Sequence, residues 1–118
     1  MKYMLLIYSN ELDLSEDERQ DCYQKSSKLV DQIKADGKYL AASPLQPTAL
    51  ATSVRIRNNK LLITDGPFAE THEQLGGYYL VEADNLDDTI TIASQIPMAI
   101  KGTVEIRPLI ELEGLAQN

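Results

Sequence analysis

The chain has 118 residues, enough for one domain with a single modest core. Its 43% hydrophobic and 25% charged residues suit a globular protein, and its net charge of −7 disfavours general binding to nucleic acid or to anionic membranes, leaving a local basic patch for a small anion. The single cysteine, Cys22, excludes an internal disulfide and a cysteine-based zinc site, and it fits a cytoplasmic protein.

The first apolar run, KYMLLIY at 2–8, is too short for a signal-peptide core or a membrane span, and no small-residue cleavage site follows. It reads as a first strand. Met4, Leu6 and Tyr8 point one way, and Tyr3, Leu5 and Ile7 the other. A strand apolar on both faces is covered on both faces.

Residues 13–37 predict a helix. Ser15 and Glu18 have capping-box spacing, Cys22, Ser26, Leu29, Val30 and Ile33 share a stripe, and Gly37 supplies the stop. Residues 38–48 predict a short strand and then an irregular stretch, because Pro44 and Pro47 cannot donate to a central ladder. TSVRIRNNKLLIT at 52–64 predicts a hairpin turning at Asn58–Asn59, both suited to positive φ. That register opposes Ile56 to Leu61, Val54 to Ile63 and Arg55 to Leu62, and puts Arg55 and Arg57 on one face.

Residues 76–83 predict a strand. Residues 84–97 predict a second helix, capped by Asp84 or Asn85, with Leu86, Ile90, Ala93 and Ile96 as its buried stripe and Pro97 as its end. Residues 102–109 predict a last strand with Val104 and Ile106 inward and Glu105 and Arg107 outward. The expected domain is 1–110, followed by a tail, 111–118.

The order β-α-β-β-β-β-α-β is an α+β plan: a ferredoxin-like antiparallel sheet with two helices on one face and a hairpin inserted. Two helices cover one face only. The strands at 2–8 and 78–83 are apolar on both, so the second face is expected to meet a second copy of the chain in a homodimer.

Between hairpin and fifth strand lies TDGPFAETHEQLGGYY, 64–79, with the only histidine and the only phenylalanine. Gly66 frees the backbone, Pro67 fixes the next φ, and Gly76–Gly77 allow a bulge or tight re-entry into a strand. Phe68, alone after a turn, is expected to plug the loop into the core.

At these residues the chain resembles the DGPF-type proteins of the YCII-related family. DGPFAETHEQLGGYYLVEADNLDD is similar to the family signature, and MKYMLLIY, LQPT at 45–48, SVRIR and VEIRPL at 104–109 match as well. The resemblance implies a ferredoxin-like fold that pairs into a dimeric α/β barrel. It implies no settled activity. Such proteins are often encoded beside sigma factors of the extracytoplasmic type, which suggests an accessory role in regulation. Some members of the wider group use a His–Asp acid–base pair. Here His72 stands where DGPF-type members commonly carry lysine, and the first helix and second strand hold no histidine, so that pair does not carry over.

Two functions follow. In the first, a homodimer binds a small anionic or aromatic molecule in a cleft between sheet and helices, with Arg55 and Arg57 as an anion clamp and Tyr8, Phe68, Tyr78 and Tyr79 as walls. In the second, a cofactor-free enzyme uses Asp65, with or without His72, as general base. The plain alternatives are a turn-forming aspartate and a solvated surface histidine. No serine elbow, phosphate loop, dinucleotide motif or metal-ligand spacing is present, and no cofactor or metal is expected.

Overall fold

The computed structural model describes residues 1–112; the end of the expected tail, 113–118, lies outside the described residues. Strand β1 (Lys2–Ser9) is followed by a single 3-10 turn at Glu11–Asp13 and helix α1 (Glu16–Ala35). Then come β2 (Tyr39–Pro44), a 3-10 turn at Thr48–Leu50, β3 (Thr52–Arg57), β4 (Lys60–Asp65) and β5 (Gln74–Glu82). Helix α2 (Leu86–Ser94), a 3-10 turn at Pro97–Ile100 and β6 (Thr103–Pro108) complete the order.

The main sheet runs β2-β5-β1-β6, antiparallel throughout. With the hairpin set aside, this is the strand arrangement of a ferredoxin-like fold, with β2 and β6 as edges. Pro44 sits at the end of an edge strand, where its missing N–H costs nothing.

Helix α1 starts where the sequence places its cap. The Ser15 hydroxyl accepts from Glu18 N at 3.1 Å, and the Glu18 carboxylate accepts from Ser15 N at 3.2 Å. Leu29 and Ile33 are buried, with Val30 packed beside them. Helix α2 is capped by Asn85, whose side chain accepts from Asp88 N at 2.9 Å.

The buried face of α2 differs from the expectation. Leu86 and Ile90 are about half exposed, whereas Thr89, Ile92, Ala93 and Ile96 are buried. The cap at Asn85 sets the helical phase and turns Thr89 inward. Its hydroxyl then donates to Asn85 O at 3.0 Å, so a polar side chain is buried with its bond made.

Both helices pack on the sheet face formed by Tyr3, Leu5, Tyr79 and Val81, and this is the core. The opposite face carries Met4, Leu6, Tyr8, Tyr78 and the buried Leu80, with no helix over it among the described residues. The doubled glycine makes the expected bulge: Ile7 pairs with Gly77 but Tyr8 with Leu75, which leaves Gly76 as the extra residue.

The hairpin forms in the expected register, with Asn58 at φ 50° and Asn59 at φ 63°. It is a two-stranded sheet of its own and stands apart from the main sheet. Gly66 N donates to Ala51 O and Ser53 Oγ to Gly66 O, both at 2.7 Å, which fixes its root.

Candidate functional site

A cleft of about 850 Å³ opens between α1 and the β2–β5 edge of the sheet. Its sheet side is built from Ile7, Ala42, Ser43, Gly77 and Tyr79. Its helix side is built from Arg19, Cys22, Tyr23, Ser26 and Val30, at the spacing of one helical stripe. Leu45, Pro47, Ile96 and Met98 supply further apolar wall. Gly77 brings β5 close to β2, because a Cβ there would stand 3.1 Å from Ser43 O and 3.3 Å from the Pro44 Cα.

One end of the cleft is tied shut by polar contacts. Glu11 accepts from Thr48 N at 2.8 Å and from Thr48 Oγ1 at 2.9 Å. Glu11 N in turn donates to Gln74 Oε1 at 3.1 Å, and Gln74 Nε2 donates to Thr71 O at 2.6 Å. Three segments distant in sequence thus meet at one rim.

Tyr79 is the chemical feature of the interior. The residue is 3% exposed, and its hydroxyl is buried with no hydrogen-bond partner among the described residues. Burial pushes its phenol above the ordinary tyrosine range. The side-chain hydroxyl of Ser26 approaches the phenol as a hydrogen-bonding neighbour and opposes that rise, although the pair falls outside normal hydrogen-bond geometry, and Tyr39 adds to the rise. At neutral pH Tyr79 is therefore a neutral phenol that can donate one bond and accept others. Near the mouth, Arg19 is one-third exposed, pairs with Glu16 at 3.6 Å and donates weakly to Glu11 O at 3.5 Å. The mouth thus holds one cationic group, Arg19, beside two carboxylates, Glu11 and Glu16. The cleft therefore suits a largely apolar molecule with one polar group at depth.

Of the residues singled out from sequence for a site, Tyr79 lines the cleft and the others lie elsewhere. Arg55 and Arg57 are exposed on the hairpin, and Arg57 Nη1 bonds only the adjacent Ile56 O, at 3.0 Å. Tyr8 and Tyr78 lie on the helix-free face of the sheet, where Tyr8 Oη donates to Glu105 Oε1 at 3.4 Å. Phe68 is 76% exposed, so the expected plug into the core is not formed. It follows a hairpin that leaves the body, and the core is not within its reach. Asp65 ends β4 and His72 lies in the following loop, both exposed. Among the described residues neither side chain makes a hydrogen bond or ion pair, so they do not meet as a dyad and no backbone N–H holds Asp65.

Tyr79 is among the aromatic walls expected from the sequence, and Ser26 lies on the expected α1 stripe; Arg19 and Glu11 were not singled out. Tyr79 shares strand parity with Val81 and Ala83, which places it on the helix side.

Among the described residues no helix is long and apolar enough to cross a membrane. The fold and the cleft define a small α+β protein of the ferredoxin-like class with a ligand-sized recess beneath its first helix. The profile of the YCII-related domain matches residues 1–113, and the chain belongs to that family. It is also 36% identical, over 118 aligned positions and 92% of each chain, to an uncharacterised protein of Rhizobium meliloti (strain 1021).

Proposed function

We propose that this protein is a homodimeric small-molecule-binding protein whose ligand occupies the cleft between α1 and the β2–β5 edge. The observation that carries the reading is the Tyr79 hydroxyl. An unpaired buried hydroxyl costs about 1–3 kcal/mol, and native folds rarely leave one. The hydroxyl is closed to solvent in the cleft, so a ligand carbonyl, ether or hydroxyl removes that cost by parting α1 from the sheet beside it. The ligand class is a mainly apolar, neutral or singly anionic molecule with a polar group at its buried end. The apolar walls supply the affinity and Tyr79 the orientation.

The dimer rests on the helix-free face of the sheet. Met4, Leu6, Tyr8, Tyr78 and Leu80 form one apolar surface across β1 and β5. Such a surface is stable in water when a second sheet lies over it. The pairing leaves both clefts, on the helix side, open to solvent.

A thermal-shift screen of apolar carbonyl and carboxylate compounds tests the binding. A ligand at 100 times its Kd adds about 2.7 kcal/mol of stability. The expected hit raises the melting temperature of the parent and loses most of that effect on Tyr79→Phe. Hits that stabilise both proteins equally contradict the reading.

A further inference from the structure

The β3–β4 hairpin stands off its own chain with its apolar side bare. Val54, Ile56, Leu61 and Ile63 share one face, and all four are between 60% and 65% exposed. An isolated two-stranded hairpin is marginal in water unless a hydrophobic face is covered. A compact chain of this length has a radius of gyration of about 13.5 Å. This one has 16.0 Å, in keeping with an arm that leaves the body.

We propose that this arm is a clasp that lies, apolar face down, across the helix-free sheet face of a second copy of the chain. The inference rests on the homodimer reading and names the element that holds the dimer. Three observations select a second copy as the occupant. First, the same chain presents an apolar sheet face: Met4, Leu6, Tyr8 and Tyr78 are half-buried and Leu80 is 9% exposed, with no helix over them among the described residues. Second, the charges are complementary. The arm, 52–65, carries Arg55, Arg57 and Lys60 against Asp65, a balance of +2, so a chain of net charge −7 leaves −9 on the rest. A basic arm is drawn to an acidic body. Third, a two-fold axis makes the exchange reciprocal, so each copy gives one arm and receives one, and the contact closes. Four large apolar side chains, each at least 60% exposed on one face of the arm, are a contiguous patch rather than singly scattered hydrophobics, as at an interface.

The test substitutes the arm without touching the core: Val54→Ser, Ile56→Ser, Leu61→Ser and Ile63→Ser in one variant. Sedimentation at micromolar concentration is expected to give twice the 13.2 kDa chain mass for the parent. The variant is expected to dimerise on the order of 100-fold more weakly, with the circular dichroism of the parent. Hydrogen exchange on the parent adds a readout that needs no variant: amides of 54–63 exchange slowly at dimer concentrations and fast on dilution. A variant that dimerises like the parent, or arm exchange that ignores concentration, overturns the clasp and leaves the dimer standing. A parent that is itself a monomer overturns the dimer and the clasp together. A monomeric parent that binds duplex DNA through Arg55 and Arg57 assigns the arm to a different partner and overturns both as well. If the variant does not fold, the exchange experiment decides alone.

Discussion

Both carboxylate oxygens of Glu11 are committed to Thr48, at 2.8 Å to its N–H and 2.9 Å to its hydroxyl. The pair joins the turn after β1 to the turn after β2, across 37 residues. With Gln74 it fixes one end of the cleft. Glu11→Ala leaves the Thr48 donors without their acceptor and is expected to cost about 1–3 kcal/mol in urea unfolding. Glu11→Gln keeps one acceptor oxygen and is expected to lose less. Equal losses from the two variants would show that the bidentate contact does not hold this rim.

Gly102 approaches β1 too closely for any side chain. A Cβ there would stand 2.1 Å from Tyr8 O, a backbone atom that cannot rotate away. Gly102→Ala therefore has to displace the start of β6 from β1. The expected cost is about 1–3 kcal/mol, read from the denaturation midpoint. An unchanged midpoint would mean that β6 enters the sheet by another path.

Glu18 caps α1 and also pairs with Lys101, on the turn before β6. The Lys101 contact, then the Ser15 backbone and side-chain bonds, hold its carboxyl down at about 2 from a usual 4.5. Because the folded value is the lower one, this stabilisation is present above pH 4.5 and is lost as pH falls toward 2. The ammonium of Lys101 is raised above 10.5 by the same pair, so its share is present below that value and is lost as pH rises through the raised one. Lys101→Ala is expected to move the Glu18 carboxyl back up in an NMR titration and to make the acid limb of stability shallower. An unmoved carboxyl would assign the shift to the helix cap alone.

Phe68 gives a prediction of the opposite kind. At 76% exposure its side chain adds little to the fold of a single chain. Phe68→Ala is expected to change unfolding stability by about 0.5 kcal/mol or less below the concentration at which chains associate. A loss of several kcal/mol there would put the ring back in the core.

The fold was legible where one local rule decides the outcome. Asn58–Asn59 tolerate positive φ, so they fixed both the turn and every pair in the hairpin. Ser15 and Glu18 satisfied each other's backbone donors, so the start of α1 was readable to the residue. The strands apolar on both faces matched a sheet with both described helices on one side. Phe68 failed because burial of a lone aromatic is a tertiary matter, and the neighbouring arm leads away from the core. The α2 stripe failed because apolar size favoured Leu86 and Ile90, while the cap at Asn85 and the satisfied hydroxyl of Thr89 set the true phase. The cleft was hardest to read. Its walls come from segments far apart in sequence, and neither Arg19 nor Glu11 carries a local signature. Tyr79 was legible as an aromatic cleft wall, and its strand parity with Val81 separates it from Tyr8 and Tyr78, which face the other way.

The central claim is that the Tyr79 hydroxyl waits for a ligand, and titration calorimetry of the best screening hit against parent and Tyr79→Phe tests it most directly. Removing an unpaired buried hydroxyl is expected to leave the unliganded fold as stable as the parent or more so. The same change is expected to weaken ligand binding about tenfold or more, equal to about 1.4 kcal/mol. Opposite signs in stability and affinity mark a group kept for binding rather than for folding. A Tyr79→Phe protein that binds the hit with the parent's Kd, or that unfolds more easily without it, would contradict the account.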